Sequence, residues 1–391
     1  MKIALCQINP TVGAIEQNKT LILEWYQKAI DGGAELVIFP ELAIIGYPPQ
    51  DLLHRQSFIE KAMDSLHSIV KHSTVPIIIG NTLKVDEDLY NCSFLIEDGE
   101  IIGKYKKRLL PTYDVFDEDR YFSRGDSSEV YEVEIGGAKR KVGLQICEDL
   151  WDMDYACDLA QSLKEKGADF IVNISASPYR VGRLADRMNL IKSKVSETQI
   201  PFVYCNIVGA QDELIFDGQS LVYDGRGNLI GQGSAFEEDL IFVDLKKANK
   251  IEIKSISREE KIYSALVLGV RDYFRKTGHK EAVIGLSGGI DSSLTACIAV
   301  DALGNGNVHG VSMPSKYSSN HSKDDAQTLA KNLRIDYRSI PIEPMVTSFS
   351  ESLEKSFAGT QSGVAEENIQ ARVRGSLLMA LSNKFNWLVL S

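Results

Sequence analysis

One short segment of the chain has residue types suited to binding phosphate. Residues 283–286 are apolar and predict a buried strand, and residues 292–302 predict a helix that begins with hydroxyl and acid side chains. Between them, Ser287, Gly288 and Gly289 are small enough for backbone N–H groups to face an anion, which the dipole of the following helix also favours. An ordinary strand–turn–helix corner is the alternative. The segment lacks the lysine of a Gly-Lys-Ser/Thr sequence, which excludes a Walker loop.

Cys147 is a second candidate for chemistry, because it lies at the end of the apolar run within residues 141–149. A single cysteine at a strand end is usually a small core residue. To act as a nucleophile it needs a base and a group that stabilises an oxyanion. The chain has six histidines, at positions 54, 67, 72, 279, 309 and 321. They lie mainly in helical, polar or turn-like sequence, so a Cys–His pair is disfavoured.

An acid and a lysine remain as partners for the thiol. Glu41 can take the thiol proton if burial beside Phe39 and Pro40 raises the pKa of its carboxyl group. Residues 103–111 include three lysines, and a lysine lowers the pKa of a thiol and holds a developing negative oxygen. A solvated basic turn is the other interpretation of that segment.

Strands must bring these groups together. Residues 33–41 and 167–175 share one pattern: Gly-Ala-acid, four mostly apolar residues, and polar groups at the end. Together with residues 141–149 they predict three strands that end in Glu, Cys and Ser/Asn. Because α/β proteins bind ligands at strand ends, these three ends predict one site. Helices are predicted at residues 16–30 and 57–72.

Three blocks of the first part resemble the catalytic blocks of the nitrilase superfamily. They are Pro-Glu at residues 40–41, Tyr-Lys-Lys-Arg-Leu-Leu-Pro-Thr-Tyr at 105–113, and Gln-Ile-Cys-Glu-Asp at 145–149. Three blocks in the right order make an accidental match improbable. The resemblance implies an αββα sandwich and amide or nitrile hydrolysis through a thioester or thioimidate on cysteine. The resemblance implies that the catalytic residues are Glu41, Lys107 and Cys147. The alignment places the family's lysine on Lys107 rather than on Lys104 or Lys106.

Within that superfamily, residues 110–118 and 174–179 resemble the glutaminase domain of glutamine-dependent NAD synthetases. Carried over by position, this resemblance implies that glutamine is bound by Tyr113, Glu148, Trp151, Ser177 and Arg183. Arg183 suits the role, because a guanidinium can grip the α-carboxylate through two hydrogen bonds. A surface arginine at a helix N-terminus is the alternative.

The last third of the chain resembles the N-type ATP pyrophosphatases. Ser-Gly-Gly-Ile-Asp-Ser-Ser, residues 287–293, is similar to their pyrophosphate loop, and the alternation from residue 283 predicts a doubly wound parallel α/β domain. The resemblance implies ATP binding by Gly285, Leu286, Ser287, Gly288, Gly289, Ile290, Asp291, Ser292, Ser293 and Met313. It also implies Mg²⁺ on Asp291. Residues 314–319 lie near the nucleotide in that family, although a surface turn is the alternative for Lys316.

A long helix is predicted at residues 364–385, and it carries Glu-Glu-Asn-Ile-Gln-Ala-Arg-Val-Arg. Helical spacing places Glu367, Gln370 and Arg374 on one face and Asn368 and Arg372 on another. A solvated charged face is the usual meaning of such spacing. The segment resembles an NAD synthetase motif, and the resemblance implies that Asn368 and Arg372 bind deamido-NAD.

Composition sets the remaining expectations. A chain of 391 residues predicts two or three domains, which we place at 1–245 and 258–391 with a linker at 246–257. The net charge of −11 makes a general nucleic-acid groove unfavourable. Six scattered cysteines indicate a reducing compartment, and the sequence shows neither a signal peptide nor an apolar run of membrane-spanning length, so we expect a cytoplasmic protein. A homo-oligomer is expected by analogy with nitrilase-like proteins.

Together the two resemblances imply an amidotransferase. Ammonia from glutamine would amidate deamido-NAD, activated by ATP, and the products would be NAD, AMP, pyrophosphate and glutamate. The sequence stops after a predicted strand at residues 386–391, where the family continues with a Thr-Gly-Asn-Lys-Ser-Glu-type loop, so we expect it to be C-terminally incomplete. One alternative is an amidase acting alone, with a nucleotide-binding remnant. A non-catalytic module is the other, and the presence of Glu41, Lys107 and Cys147 disfavours it.

Overall fold

The structure is a computed structural model that describes residues 1–254, 256–361 and 363–391. These residues form two compact units, Met1–Ala265 and Leu266–Ser391. The predicted domain boundaries remain predictions.

Two positions within the predicted ranges lie outside the described residues. They are Ser255, in the predicted linker, and Ser362, in the predicted second domain. For Asp154 the backbone alone is described.

The first unit is built from strands and helices in alternation. Its strands are β1 (Lys2–Gln7), β2 (Leu36–Ile38), β3 (Ile77–Val85), β4 (Asp88–Glu97), β5 (Glu100–Lys106), β6 (Val130–Ile135), β7 (Ala138–Ile146), β8 (Phe170–Ser175), β9 (Phe202–Asn206), β10 (Val208–Gln211), β11 (Leu214–Asp217), β12 (Leu221–Tyr223), β13 (Leu229–Gln232) and β14 (Asp239–Asp244). Its helices are α1 (Ile15–Asp31), α2 (Gln56–His72), α3 (Leu159–Glu165) and α4 (Arg183–Thr198). Helix α5 (Arg258–Thr277) contains the division between the units.

Two six-stranded sheets, β14-β1-β2-β3-β4-β5 and β13-β12-β9-β8-β7-β6, form the centre of this unit, and β10 and β11 form a separate hairpin. Side chains of both sheets share one core, in which Ile78 of the first sheet lies with Ile146 of the second. A second core joins the first sheet to α1 and α2, and a third joins the second sheet to α3 and α4. These three cores define four layers, so the predicted αββα sandwich is confirmed.

The surroundings of strand β1 explain why its sequence is apolar almost throughout. Ile3 and Leu5 lie in the core between the sheets, whereas Ala4 and Cys6 lie in the core under α1 and α2. Successive side chains of a strand point to opposite faces, and here both faces are covered. A run of apolar residues is therefore needed rather than an apolar–polar alternation.

The second unit contains a four-stranded parallel sheet in the order β17-β16-β15-β18. Its strands are β15 (Ala282–Gly285), β16 (Val308–Ser312), β17 (Asp336–Ser339) and β18 (Leu388–Leu390). Its helices are α6 (Ile290–Leu303), α7 (Asn320–Leu333), α8 (Glu343–Leu353) and α9 (Val364–Phe385). Helices α6 and α7 pack on one face of the sheet and α8 and α9 on the other, which confirms the doubly wound prediction.

The predicted elements mostly occur within a few residues of their expected positions. Helix α8 ends at Leu353. There the N–H groups of Ser356 and Phe357 both donate to the carbonyl of Leu353, which closes a turn. Among the described residues, no helix has both the length and the apolar character needed to cross a membrane.

Candidate functional site

Cys147 directly follows β7 and is the first residue of a short 3₁₀ turn, Cys147–Leu150. Its φ is +41°, a left-handed conformation that costs energy for a residue with a Cβ and is often found at functional sites. Burial raises the pKa of the thiol, the charge of Glu41 raises it further, and the charge of Lys107 lowers it. An acid and an ammonium group therefore both act electrostatically on this thiol.

Glu41 is fully buried and is held at both carboxylate oxygens. Its Oε1 accepts hydrogen bonds from Lys107 Nζ at 2.8 Å and from Asn91 Nδ2 at 2.7 Å. Its Oε2 accepts a hydrogen bond of 2.7 Å from the backbone N–H of Ala176, which follows β8. The ends of β2, β7 and β8 therefore meet at one place, in agreement with the strand-end pattern of the sequence.

The three lysines of residues 103–111 lie in different environments. Lys104 is exposed, and Lys106 is half-buried with its Nζ 3.9 Å from the centre of the Tyr90 ring. Lys107 is 1% exposed and forms the ion pair with Glu41. Lys107 is therefore the one of these three lysines whose ammonium group pairs with Glu41.

Glu118 belongs to the same buried cluster, and the sequence did not identify it. Its Oε1 accepts a hydrogen bond from Lys107 Nζ and another from the Tyr47 hydroxyl, each 2.8 Å long. Burial raises the pKa of the Glu118 carboxyl group to about 7. Burial by itself would lower the pKa of Lys107, but Glu118 and Glu41 outweigh it and hold that pKa well above its ordinary value. Lys107 is therefore protonated at neutral pH.

A second cluster surrounds Glu148, the residue after the cysteine. Its carboxylate accepts hydrogen bonds from the Tyr113 hydroxyl at 3.0 and 3.1 Å and from the Tyr155 hydroxyl at 3.2 Å. The guanidinium of Arg183 lies 4.9 Å from the centre of the Trp151 ring. The Nε of Arg183 is buried and has no hydrogen-bond partner among the described residues. Burial raises the pKa of Glu148.

The five predicted glutamine-binding residues occupy two places. Tyr113 contacts Glu148, and Arg183 contacts Trp151. Burial raises the pKa of the Tyr113 hydroxyl and the charge of Arg183 acts against that rise, so these four residues lie in one neighbourhood. Ser177 is buried in the turn after β8, next to the residue that holds Glu41. The assignment of all five to glutamine stays a prediction.

The second unit contains a cavity of about 590 Å³ at the carboxyl ends of β15, β16 and β18. The strand order reverses at β15, and such a switch point is where open α/β sheets bind ligands. The loop before α6 has a φ of +80° at Gly288, and a Cβ there would lie 2.4 Å from the carbonyl oxygen of Ser322. Only glycine fits this position. The Ser287 hydroxyl accepts from the N–H of Gly289 at 3.1 Å, which folds the loop back on itself.

Six of the ten residues predicted to bind ATP line this cavity: Gly285, Leu286, Ser287, Asp291, Ser292 and Met313. The other four, Gly288, Gly289, Ile290 and Ser293, are in the same loop and first helical turn but are not part of the lining. Asp291 is exposed in the first turn of α6. Within the described parts of the chain, no group of three or more His, Cys, Asp or Glu side chains is arranged to hold a metal ion.

The predicted dinucleotide residues lie elsewhere on α9. Asn368 and Arg372 are exposed and outside the cavity lining, whereas Arg374 lines the cavity and its Nε donates to the Met313 carbonyl at 3.1 Å. Lys323 of α7 also lines the cavity. The periodicity of α9 had separated Arg374 from Asn368 and Arg372, but it did not show which face meets the cavity. The roles of Asn368 and Arg372 stay predictions.

Comparison with known proteins identifies both halves of the chain. Residues 2–254 match the carbon-nitrogen hydrolase family, and residues 262–391 match the NAD synthase family. A glutamine-dependent NAD(+) synthetase of Thermotoga maritima is 43% identical over 432 aligned residues, which cover 100% of this chain and 74% of the relative. The chain belongs to the glutamine-dependent NAD(+) synthetases. These enzymes are glutamine-hydrolysing ligases, and their two-part organisation explains why a carbon-nitrogen hydrolase domain and an NAD synthase domain occur in one chain.

Solved structures agree with this membership. A glutamine-dependent NAD(+) synthetase from Acinetobacter baumannii, in complex with ADP, superposes with a TM-score of 0.94 at 36% identity and covers 100% of this chain and 74% of that one. The NitN amidase from Neterenkonia sp. AN1 superposes with a TM-score of 0.55 at 25% identity, covering 63% of this chain and 92% of the amidase. Both domains of a glutamine-dependent NAD(+) synthetase are matched, which favours that activity over an amidase acting alone.

Proposed function

We propose that the first unit hydrolyses glutamine at Cys147 and that the second uses the ammonia to amidate deamido-NAD at the expense of ATP. The observation that carries the proposal is the buried contact of Lys107 Nζ with Glu41 Oε1 at 2.8 Å, two charges that both act on the Cys147 thiol. The cavity above the loop of Ser287 and Gly288 supports the second half of the reaction.

Glutamine hydrolysis follows from the charges at the site. Glu41 takes the thiol proton, and the Cys147 thiolate attacks the side-chain carboxamide of glutamine. Lys107, which is protonated, and the N–H of Glu148 stabilise the oxyanion. The leaving amine takes the proton from Glu41 and departs as ammonia. Glu41 then accepts a proton from the attacking water, the C–S bond of the thioester breaks to release glutamate, and Glu41 returns the proton to the Cys147 sulfur.

Arg183 supplies the first prediction. Arg183→Ala raises the KM for glutamine by about 10- to 100-fold and changes kcat less, because it removes a charged hydrogen-bond donor from the substrate carboxylate and not from the reacting atoms. Initial rates of glutamate formation measure both constants. Arg180→Ala is the matched control, since Arg180 is exposed and pairs with Asp186. Equal KM values in the two variants would contradict the role of Arg183.

The second unit binds ATP in its cavity, with the phosphates at the loop and the N-terminus of α6. The nicotinate carboxylate of deamido-NAD attacks the α-phosphate, pyrophosphate leaves, and ammonia displaces AMP from the mixed anhydride to give NAD. Magnesium would neutralise phosphate charge. The donor set fits, because a phosphate-bound Mg²⁺ needs only one or two protein carboxylates, and Asp291 lines the cavity without an ion pair to another described residue.

Asp291→Asn tests this assignment. The substitution lowers NAD formation from ammonium by about 10- to 100-fold at low magnesium, because a neutral amide binds a hard cation weakly, and added magnesium restores part of the activity. The matched control is Asp324→Asn, an exposed carboxylate of α7 outside the cavity lining. A variant with unchanged activity at every magnesium concentration would remove Asp291 from the site.

One assay separates the competing functions. The protein is incubated with deamido-NAD, ATP and magnesium, together with glutamine or ammonium, and NAD and glutamate are measured. Both products support the synthetase. Glutamate alone supports an amidase acting alone, and neither product supports a non-catalytic module.

Two further features belong to this proposal. A cytoplasmic location agrees with the six cysteines, all of which are free thiols. A homo-oligomer is proposed by analogy with nitrilase-like proteins, and sedimentation measures its size.

A further inference from the structure

Helix α4 carries three basic side chains on one face. Arg183, Arg187 and Lys194 are spaced at i, i+4 and i+11, which places them within about 40° of one another around the helix axis. Arg187 is 0% exposed and Lys194 is 6% exposed. Lys192 lies on the opposite, solvent face. Buried cations are rare unless they are paired, so the contacts of this face are informative.

The basic face touches the segments that follow two strands of the second sheet. Arg183 lies over Trp151, and Lys194 pairs with Asp152 at 2.7 Å, so both contact the segment after Cys147. Arg187 contacts the other segment, the turn after β8.

Arg187 donates hydrogen bonds to two oxygen atoms of one residue in that turn. Its Nη2 donates to the carbonyl oxygen of Ser177 at 2.8 Å and to the Ser177 hydroxyl at 3.2 Å. Its Nη1 donates to Asp217 Oδ1 at 2.8 Å, and Asp217 is itself fully buried. The N–H of Ser177 is held separately, by Asn206 Oδ1 at 2.9 Å. The position of this turn is therefore fixed from both sides.

The same turn holds the proposed base. Ala176, the residue before Ser177, donates its N–H to Glu41 Oε2. The other oxygen of Glu41 is held by Lys107 and Asn91. A shift of the turn would release one of the two carboxylate oxygens and let the carboxylate rotate away from the thiol. Misplacing a reacting group by about 1 Å can cost about 100-fold in rate.

Stability alone is a weak reason to bury this ion pair, because apolar replacements of buried pairs are often equally stable. We infer that Arg187, supported by Asp217, is a positioning residue of the glutaminase site that fixes the turn of Ala176 and Ser177 and, through it, the orientation of Glu41. This inference rests on the proposed roles of Cys147 and Glu41.

The test is Arg187→Lys in the full chain. A lysine keeps a positive charge beside Asp217, but a single ammonium group cannot also hold the carbonyl and hydroxyl of Ser177 in the guanidinium geometry. We expect kcat for glutamine hydrolysis to fall about 10- to 100-fold per folded molecule. Lys192→Met, on the opposite face of α4, is the matched control and keeps the wild-type kcat.

A second measurement separates positioning from folding. Iodoacetamide alkylates a thiolate without using the glutamine contacts, and mass spectrometry of the Cys147 peptide follows its rate against pH. Arg187→Lys lowers this rate and alters its pH profile, because a displaced Glu41 no longer takes the thiol proton. Circular dichroism supplies the folded fraction to which both rates are referred.

The outcomes are distinct. A folded Arg187→Lys protein with wild-type kcat and alkylation overturns the inference, as does a loss of activity that only follows the folded fraction. If that variant does not fold, Asn206→Ala decides, since it releases the Ser177 N–H from the same turn and leaves no buried charge without its partner. A fall in kcat supports the inference, and an unchanged kcat overturns it. A wild-type chain that does not hydrolyse glutamine removes the proposed function, and the inference with it.

Discussion

Cys147→Ala abolishes glutamine hydrolysis, with a loss of about 10⁴-fold or more, and leaves ammonium-driven NAD formation unchanged. The thiolate forms the covalent intermediate, and removing the nucleophile of a coupled catalytic set removes nearly all of its rate enhancement. The second unit contains its own cavity, lined by residues between Ile284 and Ser391, and Cys147 is not part of that lining. Glutamate and NAD are measured in parallel, with glutamine and ammonium as alternative nitrogen donors.

The control for this experiment is Cys157→Ala, a half-buried cysteine in the segment after the 3₁₀ turn. Its activity with both donors equals that of the wild type. Appreciable glutamate formation by Cys147→Ala would eliminate the thioester route. A matching loss with ammonium would show that the substitution acts on the fold and not on one reaction.

Lys107→Met has the second large effect, and it acts on stability as well as on activity. It leaves Glu41 and Glu118 buried together without the ammonium that neutralises them. Removing one partner of a buried charge cluster typically costs about 3–5 kcal/mol. We expect no measurable glutaminase activity and a much lower unfolding midpoint. Lys104→Met, at an exposed position on the same segment, leaves both unchanged.

The pH dependence of this destabilisation has a definite sign. In the wild type, the pKa of Lys107 is raised above its ordinary value of 10.5, so its contribution is present below that pH and is lost as the pH rises through the raised pKa. In the variant, the pKa of Glu118, already about 7, rises further because the ammonium that lowers it is gone. The folded form then binds a proton that the unfolded form releases, and stability falls as the pH rises from the ordinary glutamate value of 4.5 through the raised pKa.

Thermal unfolding at about pH 5 and about pH 8 tests this sign. The difference in midpoint between Lys107→Met and the wild type is larger at the higher pH. A difference that is constant, or larger in acid, would mean that the orphaned carboxylates do not govern the loss.

Much of the fold and part of the site could be predicted from local sequence. Strand β7 ends at Cys147 and β8 ends at Ser175 because apolar runs stop there, and such endings can be found from sequence alone. The pairing of Glu41 with Lys107 was available only through a family resemblance, since the spacing could not separate Lys107 from Lys104. Burial is what distinguishes these lysines, and burial depends on the packing of other elements.

The residues that were missed share one physical reason. Glu118 and Arg187 are charged residues among other charged residues, and their sequence neighbourhoods are typical of solvent-exposed segments. Each is buried because partners from distant segments neutralise it: Lys107 for Glu118, and Asp217 for Arg187. A contact between residues 187 and 217 leaves no local periodicity. Arg374 differs, because its helical face was predicted and only the location of the cavity was lacking.

The layered arrangement has a consequence for how activity fails. Glu41 and Lys107 follow strands of one sheet, whereas Cys147 and Ala176 follow strands of the other. Neither sheet alone contains both the acid–base pair and the nucleophile. The site therefore exists only while the two sheets keep their positions relative to each other. The rate of glutamine hydrolysis therefore depends on the packing of the core between the two sheets. Small losses of packing between Ile78 and Ile146 would slow the enzyme at temperatures where its secondary structure is still intact.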